Sequence, residues 1–396
     1  MPAAASAEKR AFTIADLYRI RGVSDPQISP DGRHIAFVVR EYDLAEGESR
    51  SYIHRIDSDG GGSRRLTASG ADSHPRWSPD GETLMFVSGR QDGAQIWLLP
   101  ARGGEPRRLT KVATGVSDPS WSPDGRWIAF ASRVYPEFGA DDERNRELIE
   151  KRSKGPIQAH MADELLYRHW NSWNEGRRTH ILLVEVESGK IRDLTPGDFD
   201  SPAFSLGGRG FDFSPDGREL CFVSNREAGP RQATTTNKDL WVVPVEGGEA
   251  RNLTDDNEAY DGDPLYSPDG RFIAYRMQQV PGFEADRFRL ALLDRTTGRT
   301  RVLTDGFDNW VEDFEWASDS GSIFFTGQVR GRVPMYRLEL ASGEWTPVTT
   351  IETVRQFDVA PDAGWIAYTR SAIGRPYEVW RAGTGSGESV QLTAFN

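Results

Sequence analysis

The sequence predicts an all-β chain: a seven-bladed β-propeller of four-stranded antiparallel blades, with no shared closing blade and a partly helical insertion in blade 3. Three observations lead there. One turn stretch recurs seven times, about every 40 to 50 residues, which is the mark of a repeat architecture. The same order of four short strands accompanies each copy. Twelve Trp, eleven Tyr, nineteen Phe and forty Gly suit a β protein rich in tight turns.

The turn copies are Ser29-Pro30-Asp31-Gly32, Ser78-Pro79-Asp80-Gly81, Ser122-Pro123-Asp124-Gly125, Ser214-Pro215-Asp216-Gly217 and Ser267-Pro268-Asp269-Gly270. Two eroded copies follow, Ala317-Ser318-Asp319-Ser320-Gly321 and Ala360-Pro361-Asp362-Ala363-Gly364. Ser at the first position, Pro at the second and Gly at the fourth are what a type I turn prefers. Each copy therefore ends one strand and begins the next.

In order along the chain, residues 1–10 read as a disordered lead. Phe12 to Ile20 predicts a short helix, with Thr13 and Asp16 as a cap pair and Ile14, Leu17 and Ile20 on one face. Residues 1–20 are thus an N-terminal lead and short helix, and 21–396 the propeller. The second blade shows the grammar of all seven. Asp72 to Trp77 is an extended run into the turn, and Thr83 to Ser88 is an apolar strand. Gln95 to Pro100 is a third strand, and Arg107-Arg108-Leu109-Thr110 a fourth, more polar one. The fourth strand recurs at Arg64-Arg65-Leu66-Thr67, Asp193-Leu194-Thr195, Asn252-Leu253-Thr254, Val302-Leu303-Thr304 and Gln391-Leu392-Thr393. A bulky residue precedes most turns (Trp77, Trp121, Phe213, Tyr266, Trp316) and is expected to pack between blades. Burying one removes area worth on the order of 4 to 6 kcal/mol, an upper bound.

From Pro123 to Pro215 the spacing nearly doubles, without a turn tetrapeptide or a Leu-Thr strand between Val134 and Thr179. A charged, helix-prone stretch stands there instead (Asp141 to Arg152, then His160 to Trp170), so residues 135–178 read as an insertion rather than an eighth blade. Blade 1 opens with its own first strand and blade 7 closes with its own last one. Side-chain packing alone is then expected to join them, at a seam that can breathe.

A net charge of −12 argues against nucleic acid and against an anionic membrane, and no apolar run is long enough for a spanning helix. The lead lacks the apolar core of a secretory signal, so a cytoplasmic location is expected; a periplasmic protein whose signal had been removed would read the same. Cys221, the one cysteine, lies in an apolar run and reads as a buried structural thiol. The Gly-x-Ser-x-Gly elbow of serine hydrolases is absent, and the six histidines show no metal-ligand spacing. No catalytic residue, metal or cofactor is expected.

The candidate site is the insertion stretch Asp163, Glu164, Arg168, His169 and Trp170, followed by Trp173. As a helix it would turn Leu166 and Trp170 to a blade and its charges to water. As a recognition arm it would offer a carboxylate to a peptide's ammonium end, and Arg168 to a carbonyl or carboxylate.

The repeats, the strand order and three stretches (Val23 to Gly32, Tyr167-Arg168-His169-Trp170, and Asp193 to Pro202) resemble the N-terminal propeller of the prolyl oligopeptidase family of serine peptidases. The nearest branch is that of acylaminoacyl and dipeptidyl-peptidase-5-like enzymes. The resemblance implies a propeller that covers an α/β-hydrolase domain and filters short peptide substrates by size. The sequence stops at Asn396, where relatives would begin that domain, so their catalytic residues have no positions to be carried onto. The glutamate pair that binds the substrate amine in the dipeptidyl-peptidase-4 branch is also missing, since Arg168 and His169 follow Tyr167. Two functions are expected from this: the substrate-gating propeller of a serine exopeptidase, inactive by itself and partnered by a hydrolase domain, or a stand-alone propeller that binds a protein or peptide as TolB does.

Overall fold

The structure is a computed structural model that describes residues 10–396 except 158, 164, 205–207, 350, 351, 386 and 387. Glu164 and residues 1–9 of the expected disordered stretch 1–10 therefore lie outside the described residues. Seven four-stranded antiparallel sheets follow one another along the chain, each closed within its own stretch of sequence. Their first strands are Gly22–Ile28, Asp72–Trp77, Ser117–Trp121, Phe211–Phe213, Asp261–Tyr266, Val311–Trp316 and Thr353–Val359.

The turn repeat does more than reverse the chain. In all five full copies the Gly N–H donates to the Ser carbonyl at 2.8–2.9 Å. The Ser hydroxyl donates to the Asp carboxylate at 2.5–2.7 Å. That hydroxyl also accepts the N–H that opens the next strand, on His34, Thr83, Trp127, Glu219 and Phe272. These serines are fully engaged in structure. In the eroded copies Ser320 and Ala363 occupy the left-handed position, at φ 58° and 53°, one residue before the glycine that ends each copy.

The Leu-Thr ending has an equally regular role. The hydroxyls of Thr67, Thr110, Thr195, Thr254, Thr304, Thr349 and Thr393 each accept the backbone N–H of the residue fourteen earlier, on the third strand. Thr349 follows Val348, so blade 6 keeps the pin although its leucine is replaced. A third-strand donor that the short fourth strand would leave unpaired is satisfied in every blade.

The core is divided by junction. The described residues form seven apolar clusters, and each joins two successive blades, including blade 7 to blade 1. The bulky residues before the turns sit in these clusters. The indole N–H groups of Trp77, Trp121 and Trp316 reach back to carbonyls of the preceding blade, on Gln27, Arg76 and Leu265, at 3.1–3.2 Å.

At the seam, no strand ladder joins blade 7 to blade 1, in keeping with the absence of a shared blade. The expectation that packing alone joins them needs correction, because hydrogen bonds also cross. Asn396 accepts the Arg21 N–H at 2.8 Å and donates to its carbonyl at 3.2 Å. Asp358 accepts the Ile28 N–H at 2.6 Å, and Gln356 accepts that of Asp25 at 2.9 Å. Glu378 positions Asn396 for these bonds by accepting the N–H groups of Phe395 and Asn396.

The first helix is shorter than the sequence predicts. It spans Ile14–Leu17, started by Thr13, whose N–H and hydroxyl both donate to Asp16 at 2.8 Å. Its apolar residues Ile14 and Leu17 face no blade and are exposed. Within the insertion, Asp142–Lys154 is helical, but the expected helix over His160 to Trp170 does not form. Arg168–His169 and Ser172–Trp173 pair instead as a small hairpin. The aromatic-rich run around a Trp170-Asn171 turn, with Trp170 at φ 50°, favours strand and turn over helix.

Every first strand runs toward the Ser-Pro-Asp-Gly turns and the second returns. Loops between second and third strands, and links between blades, therefore share the opposite face. The insertion is one of those loops. No helix among the described residues is long and apolar enough to cross a membrane.

Candidate functional site

The insertion leaves blade 3 after Val134 and re-enters it at Arg178. Its base is pinned by Asn145, 2 % exposed, whose side chain accepts the Tyr135 N–H at 2.9 Å and donates to the carbonyls of Gly139 and Asp141. Asp141 caps the helix by accepting the Arg144 N–H, and basic residues fill its last turn, both favourable to the helix dipole. Arg152 lies over the Tyr135 ring, 4.9 Å from its centre, and donates to the Glu175 carbonyl. The far end of the insertion is thereby held against its start.

The hairpin rests on ring contacts. Trp173 stacks on His160 with centroids 4.2 Å apart and lies 5.6 Å from Tyr167. His169 meets Phe204, on the link into blade 4, edge-on at 4.1 Å. Asn174 donates its N–H to the Tyr167 carbonyl and accepts from Arg133 at 2.9 Å.

Two cavities lie on either side of this hairpin. One, about 900 Å³, opens onto the first strands of blades 1 to 4 and includes His74, Arg76, Arg133, Arg209 and Asp212. The other, about 700 Å³, runs over blades 4 and 5 and includes Arg168, Lys238, Tyr260 and Glu284. His169, Trp170, Asn174 and Phe204 line both. Of the residues singled out from sequence, Arg168, His169 and Trp170 thus meet at the cavities. Trp173 lines neither and serves to hold the hairpin. Asp163 is exposed and lines neither cavity, and Glu164 lies outside the described residues.

Sequence reasoning missed Arg133 in blade 3, Phe204 on the link into blade 4 and Lys238 just before that blade's third strand, which carry no motif. Burial pushes Lys238 down to about 8, and its ammonium sits over the Phe204 and Tyr260 rings at 5.6 and 5.1 Å. Arg133 is half-buried and has no carboxylate within ion-pair distance among the described residues; burial and the nearby Arg177 push it down. Burial, reinforced by Arg76, holds His74 down at about 3, so it is neutral at physiological pH. Asp212 and Asp358 are pushed up to about 6, again by burial. Both remain partly solvent-accessible, although protein surrounds them.

Cations, aromatic rings and amides along connected grooves suit an extended, polar-backboned ligand such as a peptide. The fully buried His180 is no general base, because Asp193 and the Gly197 carbonyl engage its two ring nitrogens at 2.7 and 2.8 Å. This pair explains the stretch Asp193 to Pro202 as a clamp on blade 3. Cys221 is buried and its thiol is pushed well up, as a structural thiol would be.

Fold and site together define a seven-bladed β-propeller whose grooves lie on the loop face. The sequence model for the PD40 family, the TolB β-propeller domain, matches residues 19–209. Among curated relatives, dipeptidyl-peptidase 5 of Porphyromonas gingivalis is 26% identical over 94% of this chain and 54% of its own length. The uncharacterized peptidase YuxL of Bacillus subtilis is 29% identical over 98% of this chain and 59% of its own. Among solved structures, the acylaminoacyl peptidase of Pyrococcus horikoshii superposes with a TM-score of 0.72 at 18% identity, over 96% of this chain and 53% of that one. The β-propeller domain of the trilobed protease from Pyrococcus furiosus, described as having an open velcro topology, superposes at 0.64 with 17% identity, over 95% and 96%. The chain is therefore a seven-bladed β-propeller that is similar in sequence to dipeptidyl-peptidase 5 and in fold to an acylaminoacyl peptidase over about half of that chain. It spans about half the length of the curated relatives it matches.

Proposed function

We propose that this chain is the substrate-selecting propeller of a serine exopeptidase of the dipeptidyl- or acylaminoacyl-peptidase kind. Its loop face seats an α/β-hydrolase domain, and the hairpin at 168–173 meets the short peptide between the two. The hydrolase domain supplies the nucleophile. Arg168 takes a carbonyl or carboxylate of the peptide, Trp170 gives it an aromatic wall, and the insertion's carboxylates at Asp163 and Glu164 meet its ammonium end.

One observation carries the reading. The exposed large apolar side chains are concentrated on the loop face: Tyr42 and Leu44 in blade 1, Leu165, Leu166 and Trp170 in the insertion, and Phe283 and Ile373 in blades 5 and 7. Trp170 is 82 % exposed. Isolated apolar residues on a surface need no explanation, but their segregation to one face does. Arg21 and Asn396 are bonded to each other on that same face, so a domain joined at either end would lie over it.

Titrating the protein with a free-amine tripeptide and following tryptophan fluorescence tests the proposal. Arg168 is exposed and bonds only within the hairpin, so Arg168→Ala should leave folding unchanged while weakening binding roughly 5- to 20-fold. Equal affinity in the variant removes the hairpin from the site. Capture of a folded protein with no peptide binding would favour the stand-alone propeller instead.

A further inference from the structure

The link into blade 4 carries Arg209 between Gly208 and Gly210. Its guanidinium passes over blade 5 and pairs with Glu315 on the first strand of blade 6, Nη1 to Oε2 at 3.3 Å and Nη2 to Oε1 closer still. From there its charge acts on Asp212 of blade 4, Asp263 of blade 5, Asp313 of blade 6 and Asp358 of blade 7. Asp212 lines the larger cavity together with Arg209, and Asp263 and Asp313 border a small hollow with it; Asp358 lies within reach of the same charge. Gly208 permits the approach: it lies at φ 83°, and a Cβ there would stand 2.2 Å from the Asp263 carboxylate.

The charges around Arg209 do not balance. Glu315 has Arg209, and Asp263 has Arg276. Asp212, Asp313 and Asp358 have no cation within ion-pair distance among the described residues. Each accepts a backbone N–H, from Tyr266, Phe314 and Ile28 respectively. That bond explains one oxygen but not the charge, since an asparagine would accept it without the cost of burying an anion. A separate observation points the same way. Asp263 is 3 % exposed, and its Oδ1 has no hydrogen-bond partner. It borders a hollow of about 10 Å³ shared with Arg209 and Asp313. The place is short of both positive charge and N–H donors.

We propose that this axial ring of carboxylates is a binding site for an organic cation, a guanidinium or alkylammonium group, and that Arg209 is its tethered occupant. The cation is a basic side chain of a peptide or a free polyamine. An incoming group takes the place of Arg209, pairs with Asp313 and Asp358 and donates to Asp263 Oδ1. The inference stands apart from the peptidase reading, because it uses no residue of the hairpin.

Calorimetric titration with methylguanidinium chloride, against sodium chloride at equal ionic strength, reads the site directly. Arg209→Ala vacates the ring and should bind methylguanidinium roughly tenfold tighter than the wild type, a step expected for close charge pairs. Adding Asp313→Asn and Asp358→Asn should abolish that gain. Arg209→Gln, which keeps a polar side chain on the link, provides the same comparison should the alanine variant fold poorly. An amidated Gly-Arg-Gly peptide and spermidine, titrated in parallel, distinguish a side chain from a free polyamine. Methylguanidinium binding no tighter in either Arg209 variant than in the wild type overturns the proposal, as does undiminished binding after the carboxylates are removed.

Discussion

Asn145→Ala is expected to release the insertion from blade 3 while the ring stays closed. The substitution strands the buried N–H of Tyr135 and the carbonyl of Gly139, and each such orphan costs about 1–3 kcal/mol. The loss falls on the base of the helix Asp142–Lys154, where Ala140 packs against the edge of the cluster between blades 2 and 3, so it should act mainly locally. An opening free energy lowered by about 3 kcal/mol raises the open population roughly 150-fold. Limited proteolysis should accordingly cut within 155–167 far faster, while the global melting temperature moves by only a few degrees. Peptide binding at the hairpin should fall in step. Unchanged cleavage together with intact binding would show that the ring contacts of Trp173 and His169, and not Asn145, hold the arm.

Replacing Asp212 and Asp358 together by asparagine is expected to stabilise the ring at pH 7.5. Both carboxyls are raised by burial to about 6, above an unfolded value near 3.9. Between those values the folded state holds more protons than the unfolded one, so their contribution to stability is lost as pH rises toward and through 6. Below about pH 4 both states are protonated and the variant should match the wild type. Arg209 acts on both carboxyls and Arg76 on Asp358, and the two arginines limit the penalty without cancelling it. Asparagine still accepts the N–H groups of Tyr266 and Ile28. After allowance for water in the cavity, a gain of roughly 1–3 kcal/mol corresponds to a rise of a few degrees in melting temperature. A lower melting temperature at pH 7.5 would mean that the attraction to Arg209 outweighs burial.

Much of the fold was legible because it repeats. Ser-Pro-Asp-Gly states its own turn, and seven copies give the blade number even where Ser320 and Ala363 stand in for glycine. The doubled spacing between Pro123 and Pro215 marks the loop that carries the arm. What the sequence concealed is what depends on contacts between repeats. Thr349 keeps its pin without the leucine before it, and the bonds from Arg21 to Asn396 join residues 375 apart. The arm's hairpin was misread as a helix because Leu166 and Trp170 fall at helical spacing, whereas the rings of His160, Tyr167, Trp173 and Phe204 decide its shape. Arg168, His169 and Trp170 were visible as an unusual cluster. Their companions Phe204, Lys238 and Arg133 were not, since each is an ordinary residue of blade 3 or 4 and becomes notable only across the cavity.

The central claim is that short peptides are received on the loop face, at the hairpin between the two cavities. Hydrogen exchange with and without a saturating free-amine tripeptide tests it most directly. Slower exchange confined to Tyr167–Asn174 and the neighbouring strands of blades 3 to 5, with the Ser-Pro-Asp-Gly turns unchanged, is the predicted result. Protection centred on the turn face, or none at all with peptide bound, would contradict it.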